Sequence, residues 1–209
     1  MITIIDSGIA NIASVTSAFR RLRAEACVTR EPAKVEQAEA IVLPGVGAFA
    51  DGMASLRNCA LIEPIKAAAA RGTPILGICL GMQLLADESE EFGRHAGLGL
   101  VPGSVVKLVS GSTRDRVPNI GWCDVQSHAS SRLFANTASG TAFYFVHSFH
   151  MRCMDERDAS AQISFAGEQI TVAVERGRIF GAQFHPEKSQ DAGLGVLENF
   201  IAFVKEVYL

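Results

Sequence analysis

A cysteine flanked by glycines, Gly77-Ile78-Cys79-Leu80-Gly81, is where the residue types of this sequence first allow covalent chemistry. Small residues around a nucleophile permit a sharp strand-to-helix turn that raises it at the carboxyl edge of a sheet. At a helix N-terminus, free N–H groups and the positive dipole end favour the thiolate, the form that attacks a carbonyl. Such a nucleophile needs a proton-transfer partner, itself held in one tautomer by a third group. His185-Pro186-Glu187 offers both: proline fixes the local backbone, so a carboxylate two residues beyond the imidazole can return to its ring. His185 is then the candidate base and Glu187 its orienter. Pro44-Gly45-Val46-Gly47 follows a strand-like run and can turn backbone N–H groups inward. The Leu80 N–H and the Val46-Gly47 backbone are therefore the candidate oxyanion hole. Taken singly, each segment also reads as a buried cysteine, a surface turn or an ordinary β–α turn; together they point to one site.

The remaining candidates are weaker. Cys27, Cys59, Cys123 and Cys153 lack comparable surroundings. His147 and His150 lie three apart in a strand-like stretch, which would point them to opposite faces, so no metal site is expected. His95 and His128 stand in polar, loop-like surroundings and read as solvated imidazoles.

The elements that must position these groups alternate. Ile2 to Ile5 reads as a strand, and Ile12, Val15, Ala18, Phe19 and Leu22 recur at helical spacing. Ala40 to Leu43 is a second strand, Met53 to Ala70 one or two helices, Thr73 to Ile78 a third strand, and Leu80 to Ala86 a helix. This order predicts an α/β fold with a mainly parallel sheet between helices. After Gly99 the texture changes to short runs, Val105 to Val109, Cys123 to Gln126, Ala142 to Val146, Gln162 to Phe165, Ile170 to Glu175 and Ile179 to Gln183, which predict added strands and hairpins. Leu194 to Val207 closes the chain as a helix. The reading has no repeat or linker, so residues 1–209 are expected to form one domain.

Composition narrows the partners. Nineteen Lys+Arg against 22 Asp+Glu give a net charge of -3, with no basic block able to follow a phosphate backbone, so nucleic acid is not an expected partner. Arg20, Arg21 and Arg23 read as the solvated face of a helix. The longest apolar stretch, Pro74 to Ala86, is too short to span a bilayer, and no membrane association is expected. Five cysteines without a CxxC pair argue for reduced thiols and a cytoplasmic setting.

The cysteine elbow followed by Gln83, with the distant His185-Pro186-Glu187, resembles the class I (triad) glutamine amidotransferases. The resemblance implies a three-layer, flavodoxin-like fold whose parallel sheet carries added antiparallel strands. It implies a γ-glutamyl thioester on Cys79, proton shuttling by His185, glutamine as substrate, and no cofactor or metal. It also implies that Gly45, Gln83 and Ser148, with the backbone near Gly47, hold the amino-acid end of glutamine. Asp6 to Ile12, Leu43 to Phe49, Val117 to Trp122, Tyr144 to Ser148 and Gln183 to Ser189 are similar to the glutaminase subunits of histidine biosynthesis. Those subunits form a heterodimer with a (β/α)8-barrel cyclase that receives the ammonia and makes imidazole glycerol phosphate and an aminoimidazole carboxamide ribotide. By the same resemblance Trp122, Tyr144 and Lys188 fall at the subunit interface, and partner binding is relayed to the oxyanion turn; Gly45 and Gly47 are the natural hinge for such a relay, since a peptide flip costs little without a Cβ. Ala10, Cys123 and Phe149 depart from the usual pattern. Two other readings remain: a like-built glutaminase serving an enzyme that amidates a nucleotide-activated sugar, and a non-catalytic binding or regulatory subunit. A free-standing hydrolase ranks behind them, because apolar Ile120 to Trp122, read as loop, suggests a docking surface.

Overall fold

The structure is a computed structural model that describes residues 1–111 and 116–208. In chain order its elements are β1 (Ile2–Ile5), α1 (Ile12–Arg21), β2 (Ala26–Thr29), α2 (Pro32–Glu36), β3 (Ala40–Gly45), α3 (Phe49–Asn58), α4 (Ile62–Ala70), β4 (Ile75–Cys79) and α5 (Leu80–Leu84). There follow β5 (Glu88–Ser89), β6 (His95–Ala96), β7 (Gly103–Lys107), β8 (Asn119–Ser127), β9 (Thr141–His147), β10 (Phe149–Cys153), β11 (Ala159–Phe165), β12 (Glu168–Arg176), β13 (Ile179–Ala182) and α6 (Gln190–Val207).

A nine-stranded sheet runs β2-β1-β3-β4-β13-β12-β11-β8-β9. The pairs from β2 through β13 are parallel and those from β13 outward to β9 are antiparallel. The parallel strands are apolar on both faces because both are covered. Along β1, β3 and β4, Ile2, Ile4, Ala40, Val42, Leu76 and Ile78 point to a core shared with α1 and α6. Ile5, Ile41, Leu43 and Ile75 point to the opposite core, shared with α3, α4 and α5. The two cores give the expected three layers. A second sheet, β10-β7-β5-β6, lies against the second core through Val105 and Met151.

Of the one or two helices expected over Met53 to Ala70, the structure has two, α3 and α4, with Ala60 at φ of 54° between them. The structure departs from the sequence reading elsewhere. The helix after the elbow is only Leu80–Leu84, so its dipole is a small contributor beside the local N–H groups. His147 and His150 do not share a strand: the chain leaves the large sheet after β9 and enters the small one at β10, with Ser148 between. Ile120 and Trp122 lie on β8 rather than in a loop, paired with Val146 and Tyr144 of β9.

Candidate functional site

Cys79 ends β4 and caps α5 with φ of 55° and ψ of -113°, a strained conformation for a residue with a side chain. The strain is held by packing on both sides. A Cβ on Gly77 would sit 2.6 Å from the Gly81 carbonyl oxygen, and one on Gly81 would sit 1.7 Å from the Leu43 oxygen. Only glycine lets strand and helix approach this closely, so the elbow follows directly from the Gly-x-Cys-x-Gly spacing. Gly45 pairs with Cys79 across β3 and β4 and packs against Leu80 and Gly81, below the surface of the site.

β13 runs parallel to β4 and delivers Gln183, Phe184 and His185 to the same edge. The turn Pro186–Lys188 folds Glu187 back, and His185 Nδ1 lies 2.7 Å from Glu187 Oε1, with both side chains buried. Facing a carboxylate, Nδ1 carries the hydrogen, which leaves Nε2 to face the thiol. Burial by itself would lower the affinity of His185 for a second proton. Cys79 and Glu187 outweigh it and raise the pKa to about 9. Cys79 contributes first as a hydrogen-bond partner and only then by charge, although Nε2 is buried and has no well-aligned partner among the described residues.

Cys79 and His185 open together onto a cavity of about 250 Å³. Val46, Gly47, Leu80, Gln83, Glu91, Pro118, Val146, His147, Ser148 and Phe149 complete its wall. Cys79 and His185 of the expected triad meet here with Val46, Gly47, Leu80, Gln83 and Ser148 of the expected oxyanion and substrate residues, while Glu187 stands behind the His185 ring. Gly45 does not line the cavity and acts instead as the gap that admits Leu80. The Val46 N–H donates to the Ile9 carbonyl at 2.8 Å, so it is engaged away from the cavity in this conformation. Gly47, at φ of 101°, is the flexible point of that turn. The Gln83 amide donates to the Phe149 carbonyl and to Gln183 Oε1, both at 3.0 Å, so its donors face the protein rather than the cavity. Trp122 and Tyr144 form an edge-on pair with centroids 6.0 Å apart on the β8–β9 face; Trp122 is 49% exposed. Tyr144 is joined through its N–H to Ser189, next to exposed Lys188.

Three residues passed over in the sequence bear on the site. Glu91 puts a buried carboxylate into the cavity wall and accepts the Phe49 N–H at 2.7 Å. Gln183, fully buried, directs Nε2 at Cys79 Sγ from 3.9 Å. Asn119 bonds His147 Nε2 at 3.0 Å, while His147 Nδ1 meets the Phe149 carbonyl at 2.9 Å. A lone amide in the apolar run Ile179 to Phe184 was a readable signal for Gln183; Glu91 carries none. Of the other histidines, His128 is exposed as expected, but His95 Nε2 is buried and unpartnered rather than solvated. Burial pushes the Cys123 thiol up and the Cys153 thiol to about 12, which suits neither to nucleophilic work. Among the described residues no cluster of His, Cys, Asp and Glu could hold a metal ion.

Residues 3–203 match the family described as glutamine amidotransferase class-I. The chain is 45% identical over 204 residues to the imidazole glycerol phosphate synthase subunit HisH of Moorella thermoacetica, covering 98% of this chain and 95% of that one. It is 46% identical over 200 residues to the HisH subunit of Chlorobium chlorochromatii, covering 96% and 98%. This chain belongs to the class I glutamine amidotransferases, among the HisH subunits of imidazole glycerol phosphate synthase. Solved structures share the fold at lower identity. PurLQS from Thermotoga maritima has a TM-score of 0.77 at 19% identity over 97% of this chain and 98% of that one. A glutamine amidotransferase crystal structure has 0.76 at 18% over 98% and 100%.

Proposed function

We propose that this HisH family member hydrolyses glutamine at Cys79 and passes the ammonia to a cyclase subunit. The observation that carries this reading is a strained cysteine and a carboxylate-held histidine opening onto one cavity. His185 Nε2 takes the Cys79 thiol proton, the resulting thiolate attacks the γ-carbonyl of glutamine, and the oxyanion is met by the Leu80 N–H and the Gly47 turn. Val46 joins as a donor only if its peptide leaves Ile9, a rearrangement that Gly47 makes inexpensive. The C–N bond breaks as His185 gives its Nε2 proton to nitrogen, so ammonia leaves and the acyl group stays as a thioester. Water attacks the thioester, His185 takes a proton from that water, and glutamate departs with the thiolate restored. Glu187 keeps the ring oriented throughout. Glu91 supplies the charge expected opposite the α-ammonium of an amino acid, and Ser148 stands on the same wall.

Ile120, Trp122, Tyr144 and Val146 form one apolar face on β8–β9, and Val146 also lines the cavity, so a partner seated there would meet the exit of the site. We assign this face, with Lys188 at its edge, to the cyclase subunit, a (β/α)8 barrel in our reading. We further propose that the chain works as one domain in the cytoplasm. That setting suits its five free cysteines, and no helix of the described residues is long and apolar enough to cross a membrane. Cys79→Ala should abolish glutamine-dependent synthesis by the two-subunit enzyme and leave synthesis from added ammonia intact. Loss of both activities in a folded complex contradicts the assignment, as does survival of both.

A further inference from the structure

Beyond the triad, the site contains a directed chain of amides that ends on the nucleophile. Its direction is set by a group that cannot be reversed. The Phe149 carbonyl only accepts, and it receives Gln83 Nε2 at 3.0 Å and faces His147 Nδ1 at 2.9 Å. Turning the Gln83 amide over would set oxygen against oxygen, so Nε2 must face Phe149. The second hydrogen of that same nitrogen goes to Gln183 Oε1 at 3.0 Å. With its oxygen committed to Gln83, the Gln183 amide has only its Nε2 left for Cys79 Sγ, 3.9 Å away. Both amides are buried, so water does not compete for these positions. The length of the last contact is that of a resting site, where catalytic hydrogen bonds are long and shorten as charge develops.

We propose that Gln183, oriented by Gln83, is a catalytic residue that donates an N–H to the Cys79 sulfur and holds it as the thiolate on the His185 side of the cavity. An N–H favours an anionic sulfur over a thiol because only the anion is a strong acceptor. Gln83 is then a positioning residue: it does not touch sulfur, and it decides which end of Gln183 does. The departure at Phe149 is without consequence for this chain of bonds, which uses the backbone of that residue and not its ring.

The inference rests on the reading of Cys79 as nucleophile, and the test separates the two. The pH dependence of Cys79 alkylation by iodoacetamide, followed by peptide mass spectrometry, is compared in the wild-type chain, Gln183→Met and Gln83→Met. Both substitutions are near-isosteric and remove the donors; thermal unfolding identifies the folded variants. Loss of a hydrogen bond to a charged acceptor should move the alkylation edge upward by about one pH unit in Gln183→Met, slowing labelling about tenfold on the acid side of the edge. Gln83→Met should give a smaller shift of the same sign, since Gln183 keeps its donor but loses its fixed direction. A merely structural amide would alter stability and leave the edge in place, so a wild-type edge in either folded variant overturns the proposal. Retention of glutamine turnover in Cys79→Ser would instead remove the nucleophile on which it depends.

Discussion

Two buried histidines look into the same cavity from different strand ends, and their environments drive them in opposite directions. His185, after β13, is raised to about 9; His147, at the end of β9, is lowered to about 4. Burial is nearly equal, at 3% and 5% exposure, and in each case it opposes the charged ring. The difference lies in the partners. His185 has a carboxylate at Nδ1 and a thiol before Nε2, whereas His147 has a carbonyl at Nδ1 and the Asn119 amide at Nε2, with His150 adding repulsion. One ring is built to carry a proton and exchange it; the other is kept neutral as part of the wall. Desolvation alone does not make an acid–base group; the carboxylate and sulfur beside His185, against the carbonyl and amide beside His147, set the two rings apart.

Among the residues of this comparison, substitution at His185 should have the largest effect on turnover. His185→Ala removes the proton donor for ammonia and should lower kcat for glutamine by about 10²–10⁴-fold, measured as glutamate release by the complex, while ammonia-driven synthesis persists. Glu187→Gln should cost less, between about tenfold and a thousandfold, because the ring remains but loses its fixed tautomer. It also carries a pH signature. A histidine raised above its unfolded value of about 6.5 contributes stability that is full below about 6.5 and is lost as the pH climbs through about 9. The gap in unfolding free energy between wild type and Glu187→Gln should therefore be widest near pH 6 and close above pH 9 in denaturant titrations. His147→Gln should have the smallest effect on turnover and the opposite pH signature. The His147 contribution is present above about 6.5 and is lost as the pH falls through about 4, so the variant should show a flatter acid limb. Equal acid limbs would mean that His147 is not held neutral by the fold.

The contrast between the two histidines also marks how far the sequence could be read. The elbow was legible because a glycine two residues to either side of Cys79 has a steric consequence that spacing alone states, and the parallel strands because Ile2–Ile5, Ala40–Gly45 and Ile75–Cys79 are apolar runs closed by turn residues. The edge strand β2 was missed since Ala26–Thr29 pairs on one side only and is mostly part-exposed, so its residues lack the apolar density of its neighbours. Pro32 at the first turn of α2 was a helix signal left unused. The break between β9 and β10 had no local mark: the run reads as Ala142 to Val146, and β10, which enters the other sheet after Ser148, is not separated from it. The functional residues lost in the reading, Glu91, Gln183 and Asn119, act through partners distant in the chain. Chemistry held within a few residues was visible, and chemistry assembled across the sheet edge was not.

The claim beneath all of this is that Cys79 is the sulfur that forms the acyl bond. A glutamine-analogue electrophile added to the two-subunit complex, with the modified peptide identified by mass spectrometry, tests it directly. The account predicts one adduct, on Cys79, suppressed by excess glutamine and strongly slowed in His185→Ala. An adduct on Cys27, Cys59, Cys123 or Cys153 in its place, or an unmodified Cys79 in a complex that still turns over glutamine, would contradict it.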